Sequence, residues 1–232
     1  MEQQHNIWYV TILLSAVAGY CDTVTFIAAD AIFSAHVTGN FIVFAYQLIK
    51  GADQDAWVKL LTFPVFIFSV AIGGWTAKKV ANGYMLLLEG LILLSASIAV
   101  IVFQLYGAFG SGWPMYLVAM MVVVAMGLQN AFGKLFSKET YGPTTMMTGN
   151  VTQAALDFGS LVQSGFIETT AWISLKKQFI TIGGFLIGCV IGAIAGKHLG
   201  LEAVIIPGTA MIVCYLLTNE KKQGQDGPIP VK

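Results

Sequence analysis

Asp22 lies well inside a long apolar segment, and His36 stands two residues before Thr38, Gly39 and Asn40, which break another apolar neighbourhood. In such surroundings either Asp22 or His36 could be a protonation site. Histidine titrates near neutral pH, and burial raises a carboxylate's pKa. The same tripeptide recurs as Thr148, Gly149 and Asn150, preceded by Gln129 and Asn130 and followed by Asp157. Thr and Asn cap helix starts, and Gly permits tight turns. Each tripeptide therefore predicts a helix beginning inside apolar surroundings. Such a start presents free N–H groups and the positive end of a dipole. Two of them facing one site would favour an anion or a polar solute with acceptor oxygens. The competing reading is a structural cap on each short helix, with no ligand.

The residues differ between the two occurrences. Asp22 matches Asn130, His36 matches Met146, and Asp157 matches Gln47. Asp22 either faces a cavity, binding a proton or cation, or accepts hydrogen bonds from the Asp30–Thr38 connection. His36 is a proton relay or simply a hydrogen-bonded side chain. Asn150 and Asp157 are seven apart, which places both on one helix face, lining a cavity or its mouth. Glu89 is near the start of its segment and is expected at an interface. Other chemistries lack their residues. There is no Arg among the 12 basic side chains, which removes bidentate recognition of phosphate or carboxylate. No phosphate-cradling loop, metal-binding His pair or nucleophile elbow appears. The expectation is no enzyme, no cofactor and no metal. Cys21, Cys189 and Cys214 lie in apolar segments without ligand spacing and read as inert thiols.

These side chains must be carried by a membrane protein. The chain is 56% hydrophobic and 10% charged, with mean hydropathy +0.75, whereas soluble domains carry about 25% charged residues. A net charge of zero gives no reason to expect nucleic acid. Six segments are long enough to span a bilayer: roughly Ile7–Ala29, Trp57–Ala77, Met85–Tyr106, Trp113–Lys134, Trp172–Gly196 and Leu201–Leu217. Two shorter ones, Thr38–Ile49 and Thr148–Val162, begin at the tripeptides. No Lys precedes the first apolar run, so it is expected to be retained rather than cleaved as a signal. Residues 1–218 form one transmembrane domain, and 219–232 read as a polar, solvated tail.

The halves, about 7–106 and 113–217, repeat one another. Trp8 pairs with Trp113, Trp57 with Trp172, and Gly19–Asp22 with Gly127–Asn130. Gly184, Gly188, Gly192 and Gly196 share a helix face on which backbones can approach closely. Ser69, Gly73 and Ala77 are their counterparts. These two helices are expected to cross each other or close neighbours, with a homo-oligomer face as the competing use. If all eight segments cross, Lys divides seven to five between the two sides. If the short segments return to their own side, it divides nine to three, with both termini cytoplasmic. The second arrangement also makes the repeats inverted, a transporter and channel plan. The expected fold is therefore an all-α polytopic bundle. Each repeat has three long helices and one short or re-entrant helix.

The stretch from Ala18 to Ala45, with its Asp and its His-x-Thr-Gly-Asn, resembles a signature of the bacterial YoaK-like membrane proteins, a family of unknown function. The Gly-x-Gln-Asn at 127–130 and the later Thr-Gly with Asp157 resemble its second signature. The resemblance covers nearly the whole chain. It implies an inner-membrane protein of six or seven helices, with Asp22, His36, Thr38, Gly39, Asn40, Gln129, Asn130, Thr148, Gly149 and Asp157 as matching positions. Lys134 and Lys138 stand where Arg is expected. The resemblance names no substrate. The functional expectation is a transporter or channel for an unknown small solute or ion in the lipid bilayer. The alternative is a membrane scaffold or sensor.

Overall fold

The computed structural model describes residues 2–51, 55–79, 83–109 and 112–225, with side chains from 7 to 217 within those ranges. The described residues are helical and include no strand. In chain order the helices are α1 (Glu2–Ala28), α2 (Gly39–Lys50), α3 (Val58–Thr76), α4 (Gly83–Leu105), α5 (Trp113–Leu135), α6 (Met147–Gln163), α7 (Thr169–Leu199) and α8 (Ile205–Gln225). A 3-10 turn at Gly200–Val204 joins the last two. Helix α8 continues to Gln225, into the polar end of the chain, and residues 226–232 lie outside those described.

Five stretches have the length and composition to cross a membrane: Ile7–Ala28, Val58–Thr76, Gly83–Leu105, Trp113–Leu135 and Thr169–Leu217. The fifth is 49 residues long and contains α7 and α8, which were expected as two separate segments. One unbroken helix of that length would run about 74 Å, more than twice the roughly 30 Å hydrocarbon core. Gly200, at φ 59°, and the 3-10 turn interrupt it. Helices α2 and α6 are not among the spanning stretches. Twelve residues in α2 reach only about 18 Å.

Close backbone approaches fix how the long helices run. A Cβ on Gly184 would meet Ile12, on Gly188 Ala16, on Gly192 Tyr20 and on Gly196 Val24. Both series rise together in steps of four, so α1 and α7 are parallel. Ser69 Oγ donates to the Val124 carbonyl at 2.5 Å, and Gly73 faces Leu128 and Ala131. Thus α3 and α5 are also parallel. Gly83 faces Tyr215, Gly90 faces Met211 and Ile212, and Gly208 faces Leu93 and Leu94. Here one series falls as the other rises, so α4 and α8 are antiparallel. The two small-residue stripes do not cross each other: that of α7 packs on α1, and that of α3 packs on α5. Ala77, just past α3, packs against the core.

The main apolar cluster is built from Leu14, Val17, Ala18 and Cys21 of α1, Leu93 and Ala96 of α4, and Val118, Val122 and Met126 of α5. Large apolar side chains also face outward, among them Phe68, Leu105, Leu186 and Ile194. A bundle with apolar groups both inside and outside suits lipid rather than water as its solvent.

Candidate functional site

Beyond α1 the chain turns back on itself. Asp30 and Ala31 adopt left-handed φ values of 51° and 57°, a region most side chains avoid. The returning connection brings Ser34, Ala35 and His36 against Asp22, which is buried within α1. Asp22 Oδ1 accepts from the Ala35 N–H at 2.5 Å, and at longer range from Ser34 Oγ at 3.3 Å and the His36 N–H at 3.4 Å. Its Oδ2 bonds His36 Nδ1 at 2.5 Å. The His36 ring lies edge-on to Phe185 of α7, centroids 5.3 Å apart. Its side chain is 33% exposed against 5% for Asp22, so the pair links a buried carboxylate to the surface.

His36 lies in the connection, outside the spanning stretches. Burial pulls its pKa down, but the hydrogen bond and charge of Asp22 outweigh burial, and the net shift is upward from 6.5. The sign is that of a histidine gaining a partner. The stabilisation of the docked connection is complete below 6.5 and is lost as pH rises through the raised value.

Asn40 closes the same connection. Its Oδ1 accepts from the Phe33 N–H, and its Nδ2 donates to the Phe33 carbonyl and to Thr62 Oγ1, all within 2.9 Å. Gly39 lies under the Phe33 ring, where a Cβ would come within 2.9 Å of a ring carbon. Thr38 precedes α2 but makes no capping bond through its hydroxyl. The N–H groups of Gly39, Asn40 and Phe41 are bonded to the carbonyls of His36, Val37 and Thr38. The donors expected to be free at this helix start are therefore occupied by the chain itself.

A third tie went unread in the sequence. Lys59, fully buried at the start of α3, pairs with Asp30 Oδ2, while Gln47 Nε2 donates to Asp30 Oδ1 at 3.3 Å. The ammonium also lies 5.7 Å from the Tyr116 ring centroid. The missed signal was an acid just past the end of α1 with a Lys just inside the next long segment.

The second half builds a counterpart with different parts. Gln129, fully buried, donates through Nε2 to the Leu14 carbonyl at 2.6 Å and to Thr144 Oγ1 at 3.1 Å. Its neighbour Asn130, the expected match to Asp22, is half-buried; the longer amide makes the tie. Asn150 Nδ2 donates to the Pro143 carbonyl at 3.0 Å, seven residues back, as Asn40 does to Phe33. Helix α6 starts at Met147, so Thr148 and Gly149 lie in its first turn, exposed. Asn150 and Asp157 are both buried on one face, and Asp157 Oδ1 accepts from Gln153 at 2.8 Å. The Tyr141 N–H bonds Thr11 Oγ1. With the Gln129–Leu14 bond, this sets the end of α5 beside the start of α1.

The two polar stations do not meet at one central point. Gln129 touches α1 at Leu14 and the His36 connection touches it at Asp22, about 12 Å farther along the helix. Apolar Val17 and Ala18 lie between them.

Residues 10–217 match one protein family, described as a protein of unknown function (DUF1275). The chain belongs to DUF1275. The match carries neither a function nor the YoaK-like name. No curated protein and no solved structure matches the chain. In this DUF1275 chain Glu89 is also deeper than its position suggested. It is fully buried on α4, with neither carboxyl oxygen hydrogen-bonded. Among the described residues no group of His, Cys, Asp and Glu is arranged to hold a metal ion.

Proposed function

We propose that this DUF1275 chain is a proton-coupled transporter of a small solute or ion in the bacterial inner membrane, built from two inverted repeats. Helix directions support the topology. With α1 pointing one way, α7 points with it, the bonds of Gln129 to Leu14 and Tyr141 to Thr11 turn α5 and its parallel partner α3 the other way, and α4 and α8 oppose each other. Successive long helices then alternate only if α2 and α6 each return to the side they left. The pairing also exchanges under the repeat: α1 with α7 becomes α5 with α3, and α4 with α8 becomes itself reversed. That is the behaviour of inverted repeats. The sequestration of Lys59 by Asp30 removes a charge from the Lys-poor side and sharpens the positive-inside bias. Cysteines placed at Lys50 and Lys176 should therefore react with an impermeant thiol reagent from opposite sides of the membrane. Labelling of both from the same side would sink this topology.

The observation carrying the coupling role is the Asp22–His36 pair, a buried carboxylate linked through a partly exposed imidazole. Ionisable groups at membrane depth are costly and mark ion or proton pathways. Asp22→Asn keeps Oδ1 as acceptor for the Ala35 and His36 N–H groups, replaces Oδ2 by an amide donor toward His36 Nδ1, and removes the charge. In proteoliposomes carrying an internal pH dye, it should lower solute-driven proton flux at least tenfold while α2 stays docked. Absence of any flux from well-folded wild type across a broad solute panel would defeat the transporter reading. One observation favours the alternative scaffold or sensor. The amides of Gly39, Asn40 and Phe41 and the side chain of Asn40 are all bonded within the protein, so none of these is free to meet a ligand.

A further inference from the structure

A groove of about 770 Å³ lies at the end of the bundle where α1 and α7 begin, closed on one side by the connection from α5 to α6. Lys138 of the connection and Lys176 and Lys177 of α7 line it, with the hydroxyl-bearing Ser137, Thr140 and Tyr141. Lys177 Nζ lies 5.7 Å from the Tyr141 ring centroid. No carboxylate is among its described lining residues, and the rest of that wall is mainly apolar: Ile7, Ile173 and Ile180. Three ammonium groups thus share a space with hydroxyl groups and an isoleucine wall.

The height of the groove is set by the α1–α7 register. Gly184 lies against Ile12 and Gly188 against Ala16, so Ile7, the first residue of its spanning stretch, is level with residue 179. Lys176 and Lys177 are therefore less than one helical turn, about 3–5 Å, from the level at which α1 passes from the polar Glu2–Asn6 to Ile7, although the apolar stretch of α7 itself runs back to Thr169. Ile180 is just inside that level. A ligand seated here has its charge at headgroup depth and its apolar part against hydrocarbon.

We infer that this groove is a binding site for the phosphate headgroup of an anionic phospholipid, its acyl chain lying along Ile7, Ile173 and Ile180. Basic pockets between helices at a membrane surface recognise such headgroups, and Lys acts on phosphate as a point charge without bidentate geometry. A soluble phosphate ester shares the headgroup chemistry but gains nothing from the isoleucine wall.

The test uses the full-length protein, purified in detergent, titrated with phosphatidylglycerol, phosphatidylcholine or glycerol 3-phosphate and read by native mass spectrometry and thermal shift. Phosphatidylglycerol should bind at least tenfold more tightly than either of the others and raise Tm. Each ammonium near a membrane surface is worth roughly a fivefold change in affinity, so Lys138→Gln/Lys176→Gln/Lys177→Gln should lose at least tenfold. Lys78→Gln/Lys79→Gln, outside the groove, should lose nothing. All three groove lysines are exposed, and circular dichroism checks the fold of each variant. Equal binding of phosphatidylcholine overturns the headgroup assignment. Equal binding of glycerol 3-phosphate overturns the lipid in favour of a soluble anion. A triple variant that binds like wild type overturns the site, and the wild-type preference tests the proposal without any variant.

Discussion

Gly188→Leu will yield no monodisperse protein after detergent extraction, and even Gly188→Ala will melt far below wild type. A Cβ at this position would overlap the carbonyl, carbonyl carbon and Cα of Ala16. Overfilling a core that can adjust its side chains costs roughly 1–3 kcal/mol. Here the obstacle is the main chain of α1, so the loss exceeds that range or the two helices separate. Gly184 and Gly192 meet the backbone of Ile12 and Tyr20 in the same way, so the strain cannot be relieved by a tilt about one point. Gly183, one residue from the seam, has nothing within 4 Å of its ideal Cβ. Gly183→Ala should leave Tm unchanged or slightly raised, since Ala is the better helix former. Fluorescence-detected gel filtration of the three variants decides the matter. An intact, wild-type-like peak for Gly188→Leu would refute the close α1–α7 seam.

The second large effect is asymmetric. Asp30→Asn should destabilise the protein more than Lys59→Met, although both break the same ion pair. Lys59 is fully buried, whereas the side chain of Asp30 is 28% exposed. With Asp30 neutralised, a buried ammonium is left without its counter-charge, 5.7 Å from the Tyr116 ring centroid. Breaking a buried pair in this way costs roughly 3–5 kcal/mol. With Lys59 replaced by Met, the remaining carboxylate can reach water and keeps its bond from Gln47. The double variant should recover much of the loss, because no unpaired charge remains. Thermal denaturation in one detergent measures all three. Lys59→Met proving the worse single change would show that the carboxylate, not the ammonium, depends on the pair.

Particular residues show what could be read before the fold was known. Composition and apolar run length placed α3, α4, α5 and α7 within about three residues, because the bilayer imposes that length on the chain, whereas α1 begins earlier and α8 ends later than the apolar runs. The repeated tripeptide placed both short helices, since α2 begins at Gly39 and α6 at Met147. Its internal roles were less legible. The Thr hydroxyls were expected to cap, yet the α2 amides are bonded to nearby carbonyls and Asn40 does the tying. Propensity describes an isolated helix end, whereas this one is folded back against Phe33. The exchange of Gln129 for Asn130 depends on side-chain reach to Leu14 and Thr144, which no one-dimensional alignment encodes. Glu89 lies within two turns of a segment start, where sequence alone places charge at the interface, but neighbouring helices cover it, as they cover Lys59 at the start of α3.

The parallel glycine seam also governs the order in which the molecule can be assembled. Helix α1 leaves the ribosome first, but the surface shaped to receive it is made only when α7 emerges, more than half the chain later. Helix α3 likewise waits for α5. Neither half is a folding unit by itself, because each supplies the partner for the other's first or second long helix. A chain stalled after α4 would hold its small-residue grooves open to lipid and to other nascent chains. Maturation is then a single late event, committed when α7 inserts, and two separately synthesised halves retain complementary surfaces for finding each other in the membrane.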